Sequence, residues 1–524
     1  MKKLFSILLA LVLVMGLCGS AFASGQTNTP ATYTITMSTT ANHSYTAYQV
    51  FSGKLTESNG KTVLSDIEWG SGVNGDALMT ALRADSTYGS AFTSCASASD
   101  VADVLSAYDD DSAAIKAIAK IIAANKATAA GSGTTSITGL AAGYYLILDT
   151  TAAADMPDGQ TYSDFMLEVV KDVTVEAKDG STTSQKKVKD ADDTAGTVTD
   201  WQDSADYDIG DAVPFQLKAT VASDYANYDT YKLVFHDKES AGLSFNSSSV
   251  KVYVDGTEIT TGFEVKTSGL ADSNCTFEVV FADLKTVSSV AAGSVITVEY
   301  TSTLNTSAVI GSTGNPNEIH IEYSNNPNSD QTGTTPDDKV IVFTYETIIN
   351  KVDKDKNALT GADFTLYKEV PSTVSGAQTG AAIKAGFNSD VKATALDDTK
   401  YYVVVGNKTG DATGSTFDFK GIDDGNYVLV ETTIPNGYNA WDAVAFTVSA
   451  THDVNADNPQ LTALTGGDLF TGSVSAGTLT ATIENKSGSE LPSTGGIGTT
   501  LFYVIGGLMV AGATVVLVSR KRME

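Results

Sequence analysis

Short stretches in which polar residues alternate with β-branched, apolar or aromatic ones run through most of the chain, and they constrain its fold more than any other feature. Thr32-Tyr33-Thr34-Ile35-Thr36-Met37, Ser249-Val250-Lys251-Val252-Tyr253-Val254 and Leu479-Thr480-Ala481-Thr482-Ile483 are three of them. Side chains along a strand point alternately to opposite faces, so a period of two buries one face and wets the other. Asp-Gly, Asn-Gly and Gly-Ser turns separate the stretches, which is the pattern of antiparallel sandwiches. Between the two ends no run suggests a long buried helix. Two Ala-rich pieces, around 75–83 and 101–130, break the pattern, and the second predicts one or two helices from its Asp and Ala spacing. The expected fold is all-β: tandem immunoglobulin-like sandwiches, the first with a helical insertion.

Polar, charged and turn-rich stretches at 178–199 and 325–339 mark boundaries, giving units of 24–179, 180–336 and 337–489. A faint repeat links the first and third. Gly143-Tyr-Tyr-Leu-Ile-Leu-Asp149-Thr aligns with Gly425-Asn-Tyr-Val-Leu-Val-Glu431-Thr. Strand phase puts Tyr145, Ile147 and Asp149 on one face, and likewise Tyr427, Leu429 and Glu431. An acid on such an apolar face is buried, and a buried carboxylate needs a partner or a raised pKa.

The ends read differently. Lys2-Lys3, an apolar stretch over 4–17 and Ala21-Phe22-Ala23 form an export signal at 1–23, with the mature chain starting at Ser24. Cys18 is not a lipidation site on this reading, because Leu17 stands where a small residue is needed. At the other end, 490–524, Leu491-Pro492-Ser493-Thr494-Gly495 precedes an apolar run over 501–518 and Arg520-Lys521-Arg522, a bilayer span with a basic stop. The net charge is −29. The signal and the tail each carry two net positives, so the part between them is near −33, and its sole arginine is Arg83. That excludes an ordinary phosphate-binding surface and argues against nucleic acid or anionic membrane as partners.

Cys95 and Cys275 fall in different units, so no stapling disulfide is expected. His43, His236, His320 and His452 are scattered, and no serine elbow, thiol–histidine pair or metal cluster stands out. Neither cofactor nor metal is expected. No loop has the regular oxygen-ligand spacing of a calcium site, although an acidic sandwich leaves calcium open.

The C-terminal order of LPSTG, span and basic stop resembles the cell-wall sorting signal of Gram-positive surface proteins. Residues 347–368, which include Lys351, resemble the opening strands of a Cna-B type domain, and 427–438 resemble its E-box around Glu431. Together these are similar to the shaft-forming (backbone) subunit of sortase-assembled Gram-positive pili. The resemblance implies that a sortase cuts between Thr494 and Gly495 and transfers the Thr494 carboxyl to a lysine of another copy. It also implies intramolecular isopeptide bonds, in which a lysine amine attacks an asparagine carboxamide beside a buried acid and ammonia leaves. An apolar core would keep the lysine neutral and the acid protonated.

In the third unit the implied residues are Lys351 as nucleophile, Glu431 as acid and Asn485 as amide. In the second they are Lys186, Asp237 and Asn325, with Lys187 and Asn326 as alternatives, since strand neighbours face opposite ways. The first unit has no lysine before Lys54, so Asp149 lacks a nucleophile and no such crosslink is expected there. The acceptor amine is assigned to Lys178 in Val173-Thr-Val-Glu-Ala-Lys178, with Glu176 and Ala177 replacing the tyrosine and proline of the pilin motif and Lys171 as competitor. The implied partners are further copies of the chain, a pilus (class C) sortase and a housekeeping sortase, minor tip and basal pilins, and peptidoglycan, with no nucleic acid. The implied location is a wall-anchored fimbria, reached through a transiently membrane-inserted precursor. The alternative is a monomeric wall-anchored adhesin that binds a host protein or glycan.

Overall fold

The computed structural model describes residues 31–38, 43–58, 60–109, 112–176, 180–409 and 414–488. The export signal, Lys178, the LPSTG motif and the apolar run after it lie outside the described residues. The described residues form two compact units. One contains the chain up to Ala191 with Val198–Thr344 and His452–Leu461, and the other contains Asp192–Thr197, Tyr345–Thr451 and the chain from Thr462 onward.

The first unit has separate hydrophobic cores. In its N-terminal part, the strands Ser136–Leu140, Tyr33–Met37 and Val173–Val175 form one sheet. Lys61–Trp69, Tyr45–Ser58, Gly143–Asp149 and Phe165–Val169 form the other in that order. Ile35, Tyr45, Ile137, Tyr145 and Ile147 fill the space between the sheets. Helices Gly75–Ala84, Ala98–Ser106 and Ala113–Ala124 cover the outer face, where Leu78, Leu82, Val101 and Ile118 meet Val50, Leu146 and Leu148. The strand Gly143–Asp149 is therefore buried on both faces, which the continuous run Tyr-Tyr-Leu-Ile-Leu already permits. Each helix begins on a side-chain cap that occupies an otherwise unpaired backbone N–H: Asn74 bonds Ala77, Ser97 forms a reciprocal box with Asp100, and Ser112 bonds Ile115.

Further along the same unit, a seven-stranded sheet packs on a five-stranded one. The first contains Leu233–Glu239, Asn315–Ser324, Phe277–Phe281 and Asp338–Phe343. The second runs Thr257–Ile259, Leu243–Val254, Val295–Leu304, Ala212–Thr220, Thr183–Val188. Val295–Leu304 alternates without a break, burying Ile296, Val298, Tyr300, Ser302 and Leu304. Two of those inward residues carry hydroxyls, and Asn317 interrupts the inward row of Asn315–Ser324 in the same way.

In the second unit, Tyr345–Val352 lies between Thr416–Ile422 and the last strand, Thr478–Glu484, which it pairs in parallel. The facing sheet centres on Asp363–Val370, between Tyr401–Thr409 and Gly425–Thr433. A short helix, Gly380–Ala385, interrupts this all-β unit where the sequence pattern shows none.

Burial separates positions that matter from those that do not. Leu146→Ala should cost about 2–5 kcal/mol, because a fully buried leucine between strand and helices leaves a cavity. Val404→Ala, at a side chain 52% exposed, should change stability by about 0.5 kcal/mol or less. Urea unfolding followed by circular dichroism measures both.

Candidate functional site

Three inward-facing acids, one for each predicted domain, organise the polar groups of the cores. In the second unit, Lys351 is on the first strand, opposite Ile483 of the last strand. Asn485 follows immediately, and its N–H bonds the Val352 carbonyl. Glu431 comes from the other sheet, opposite Phe364. The three side chains meet inside the sandwich, each about 1% exposed. Lys351 Nζ donates to Asn485 Oδ1 and lies 3.1 Å from Glu431 Oε1. Asn485 Nδ2 donates to Glu431 Oε1 at 2.8 Å, and Trp441 N–H holds Oε2, also at 2.8 Å. Burial pushes the Lys351 amine below its ordinary pKa against the pull of Glu431. The amine, the amide and the acid thus stand in mutual hydrogen-bond contact.

The corresponding group in the first unit differs in one member. Lys186, on Thr183–Val188, is fully buried and donates to Asp237 Oδ2 from the opposite sheet. Its Nζ also lies 3.2 Å from Tyr300 Oη and 3.4 Å from the Glu318 carbonyl. Burial lowers the Lys186 pKa and raises that of Asp237, so desolvation drives the pair toward a neutral amine and a neutral acid. The carboxamide beside them is Asn317, whose Nδ2 donates to Tyr300 Oη at 2.9 Å. Asn317 is two residues from Ile319, the cross-strand partner of Asp237, and so faces the same way.

Asn325 shares that phase but lies eight residues further on, roughly 26 Å along an extended chain. Its neighbours are Gln331, Gly333 and, through its own carbonyl, Tyr162. Asn325 is therefore not the carboxamide beside Lys186 and Asp237, and Asn317 takes that place. The alternatives fall away as well. Lys187 points to the other face and pairs with Asp203, and Asn326 bonds its loop neighbours Gln331 and Asn328.

A second acid sits beside Asp237. Glu239 accepts a hydrogen bond from Ser302, and burial together with the neighbouring Asp237 lifts its pKa to about 7. In the N-terminal part of the unit, Asp149 is buried as expected, but its hydrogen-bond partner is His43 at 2.5 Å, with Thr151 donating through N–H and Oγ. His43 stands before the second strand, 106 residues away in the chain, so no local pattern announces the pair. Tyr300, Asn317 and Glu239 were also missed. The signal for each is a polar residue in the inward phase of a strand, a phase that also carries Ser302 beside Tyr300, Asn315 beside Asn317 and Asp237 beside Glu239.

Cys95 and Cys275 are both free thiols. The side chains that could approach a cation include Asp190, Asp206 and His452, with His452 Nε2 4.0 Å from each carboxylate and Nδ1 bonded to Ser204. Burial lowers the His452 pKa, so the ring serves there as a buried neutral histidine bonded to Ser204.

Comparisons with known proteins match parts of the chain to three families. Residues 209–327 match "Gram-positive pilin backbone subunit 2, Cna-B-like domain", 346–460 match a "prealbumin-like fold domain", and 483–524 match "LPXTG cell wall anchor motif". The trypsin-resistant surface T6 protein of Streptococcus pyogenes serotype M6 is 24% identical, over 74% of this chain and 81% of its own length. The solved T6 backbone pilin superposes with a TM-score of 0.52 at 18% identity, covering 89% of this chain and all of that one. The full-length major pilin SpaD of Corynebacterium diphtheriae gives 0.47 at 16%, with the same coverage. At these identities the T6 structure speaks for the fold.

Glu239 makes the stability of the first unit depend on pH. An unfolded glutamate ionises near 4.5, whereas the folded carboxyl keeps its proton to about 7. The stabilisation is complete below 4.5 and is lost as pH rises through 7, by up to about 3 kcal/mol. The unfolding midpoint should fall between pH 5 and pH 8, and Glu239→Gln should flatten that fall in calorimetric scans.

Proposed function

We infer that this chain, a sortase-dependent Gram-positive pilin with Cna-B and LPXTG domains, is the structural shaft subunit of a cell-wall-anchored pilus. It is a substrate of sortases rather than an enzyme. The observation that carries this reading is the fully buried group Lys351, Glu431 and Asn485 in a chain ending in LPSTG, a span and a basic stop. An isolated ammonium inside a core costs several kcal/mol, and a surface-anchored protein gains nothing from it unless the amine reacts.

In the proposed reaction the neutral Lys351 amine adds to Cγ of Asn485. Glu431, within hydrogen-bond reach of both nitrogens, takes the surplus proton from the amine and returns one to the departing Nδ2. Ammonia leaves and an amide joins the first strand to the last. Proximity does most of the work, because strand pairing holds the reactants at contact. Since these strands are parallel neighbours, the new bond carries tension entering at one end of the unit directly to its exit. Lys186, Asp237 and Asn317 support the same reaction in the middle domain, there joining the two sheets. Among the described residues the side-chain partners of the Asp149 carboxylate are His43 and Thr151 rather than a lysine, which supports a first domain without a crosslink of this kind.

Polymerisation needs a second pair of groups, Thr494 and Lys178. A pilus sortase of class C is proposed to form an acyl-enzyme at Thr494 and to pass it to the Lys178 amine of the next copy. The basal copy goes to peptidoglycan through a housekeeping sortase, with minor pilins at tip and base. The three-domain division at 24–179, 180–336 and 337–489 belongs to this proposal, as does a membrane-inserted precursor. A fimbria of this construction supports adhesion by its length.

Two experiments test it. The intact mass of recombinant 24–489 should be about 34 Da below the calculated value, one ammonia per crosslink. Glu431→Ala should halve the deficit and sensitise the C-terminal unit to trypsin, and an unshifted wild-type mass would sink both crosslinks. Blots of cell-wall extracts should show ladders that resist boiling and collapse to monomer in Lys178→Ala. A single band in the wild type would favour a monomeric wall-anchored adhesin, and a surviving ladder would move the acceptor, with Lys171 the next candidate.

A further inference from the structure

The two candidate crosslinking groups differ in how the acid reaches the amide. In the second unit Glu431 bonds the Asn485 amide nitrogen directly, at 2.8 and 3.1 Å. In the first unit, Asp237 Oδ2 accepts from Tyr300 Oη at 2.8 Å, and that same hydroxyl receives Asn317 Nδ2 at 2.9 Å. Tyr300 also lies 3.2 Å from the Lys186 nitrogen. One hydroxyl therefore touches the nucleophile, the acid and the leaving nitrogen. The ring is fixed on all sides, stacked on Phe215 and edge-on to Phe245 and Phe277. It comes from the sheet that carries Lys186, whereas Asp237 and Asn317 come from the facing sheet.

We propose that Tyr300 is a catalytic residue of the middle-domain crosslink, relaying a proton from Asp237 to the leaving nitrogen of Asn317. The proposal rests on the reading of Lys186 and Asn317 as the crosslinking pair. Lys186 Nζ adds to Cγ of Asn317, and its lone pair becomes the new C–N bond while the carbonyl π pair moves onto oxygen. Tyr300 gives its proton to Nδ2, now a tetrahedral amine with a lone pair, and takes the proton of Asp237. The attached Nζ, which holds one proton too many, returns it to the Asp237 carboxylate. The oxygen lone pair reforms the carbonyl, the bond to Nδ2 breaks and ammonia leaves. Asp237 and Tyr300 end as they began, so the products are one amide and one ammonia.

The surroundings suit the role. Burial and the acids Asp237 and Glu239 push the phenol pKa well above 10, so Tyr300 enters the step with its proton in place. Glu431 has no such intermediary to pass through, so the same substitution logic does not extend to the second unit. That unit supplies an internal control within one polypeptide.

The test follows freshly synthesised full chain from a cell-free reaction, sampled over time, denatured, digested and scored for the Lys186–Asn317 and Lys351–Asn485 peptide pairs. In Tyr300→Phe, which keeps the ring packing, the Lys186–Asn317 link should form on the order of 10²-fold more slowly or worse. The Lys351–Asn485 link should form at the wild-type rate. Equal Lys186–Asn317 rates in variant and wild type would overturn the relay. Absence of the Lys186–Asn317 link from the wild type would instead remove the underlying pair. Should Tyr300→Phe fail to fold by near-UV circular dichroism, wild-type synthesis in heavy water decides: slowing of the Lys186–Asn317 link beyond that of the Lys351–Asn485 link in the same chain supports the added relay, and equal slowing of the two refutes it.

Discussion

A lysine amine removed from water beside a carboxyl group is the interaction on which the rest of this structure depends. At Lys186 and Lys351 the desolvation cost of an ammonium is offset only in part by the acid that faces it, and both amines are shifted toward the neutral form. A neutral amine against a carboxamide is a reactive arrangement, and the strands around it supply the fixed geometry. Conversion to an amide removes the buried ionisable pair and leaves a covalent tie in its place. A pilus shaft under tension needs such ties, because hydrogen-bonded sheets without disulfides resist pulling only as long as they stay paired.

The two groups apply this chemistry in different mechanical settings. Lys351 and Asn485 belong to neighbouring parallel strands, and the acid reaches across from the facing sheet. Lys186 instead faces its acid and amide across the sandwich. On the proposed reaction, the first arrangement would tie the entry strand to the exit strand, and the second would clamp two sheets together. The N-terminal part keeps the equivalent acid, Asp149, but spends it on His43 and Thr151. That unit relies on its helices and on a strand buried on both faces for its stability.

Much of this is legible in the sequence alone. The sandwich fold and the helical insertion follow from periodicity. The choice of Lys351, Glu431 and Asn485 comes from the resemblance to a Cna-B type domain, and strand phase adds that Glu431 faces inward. The resemblance likewise points to Asp237 and to Lys186 or Lys187, with the register of that doublet left open. The choice of Asn325 fails because phase is blind to distance: Asn317 and Asn325 are eight positions apart in one phase, and only the register between Leu233–Glu239 and Asn315–Ser324, which sets Ile319 opposite Asp237 and Asn317 opposite Glu239, brings Asn317 beside the acid. Tyr300 escaped because a tyrosine in an inward phase reads as ordinary core.

By itself, the sequence determined the period of the strands, the faces on which the acids and lysines lie, the tail that directs the chain to the wall, and the absence of a lysine from the first strand. These are local properties, set by alternation and residue chemistry within a few positions. Only the tertiary structure decided which groups meet: Asn317 rather than Asn325 near Lys186, Tyr300 between acid and amide, His43 against Asp149. The hydrogen bonds that join them, Asn317 to Tyr300, Lys186 to Tyr300 and His43 to Asp149, bridge separations of 17 to 114 residues. They depend on sheet register and on the packing of one sheet against another, which no local pattern encodes.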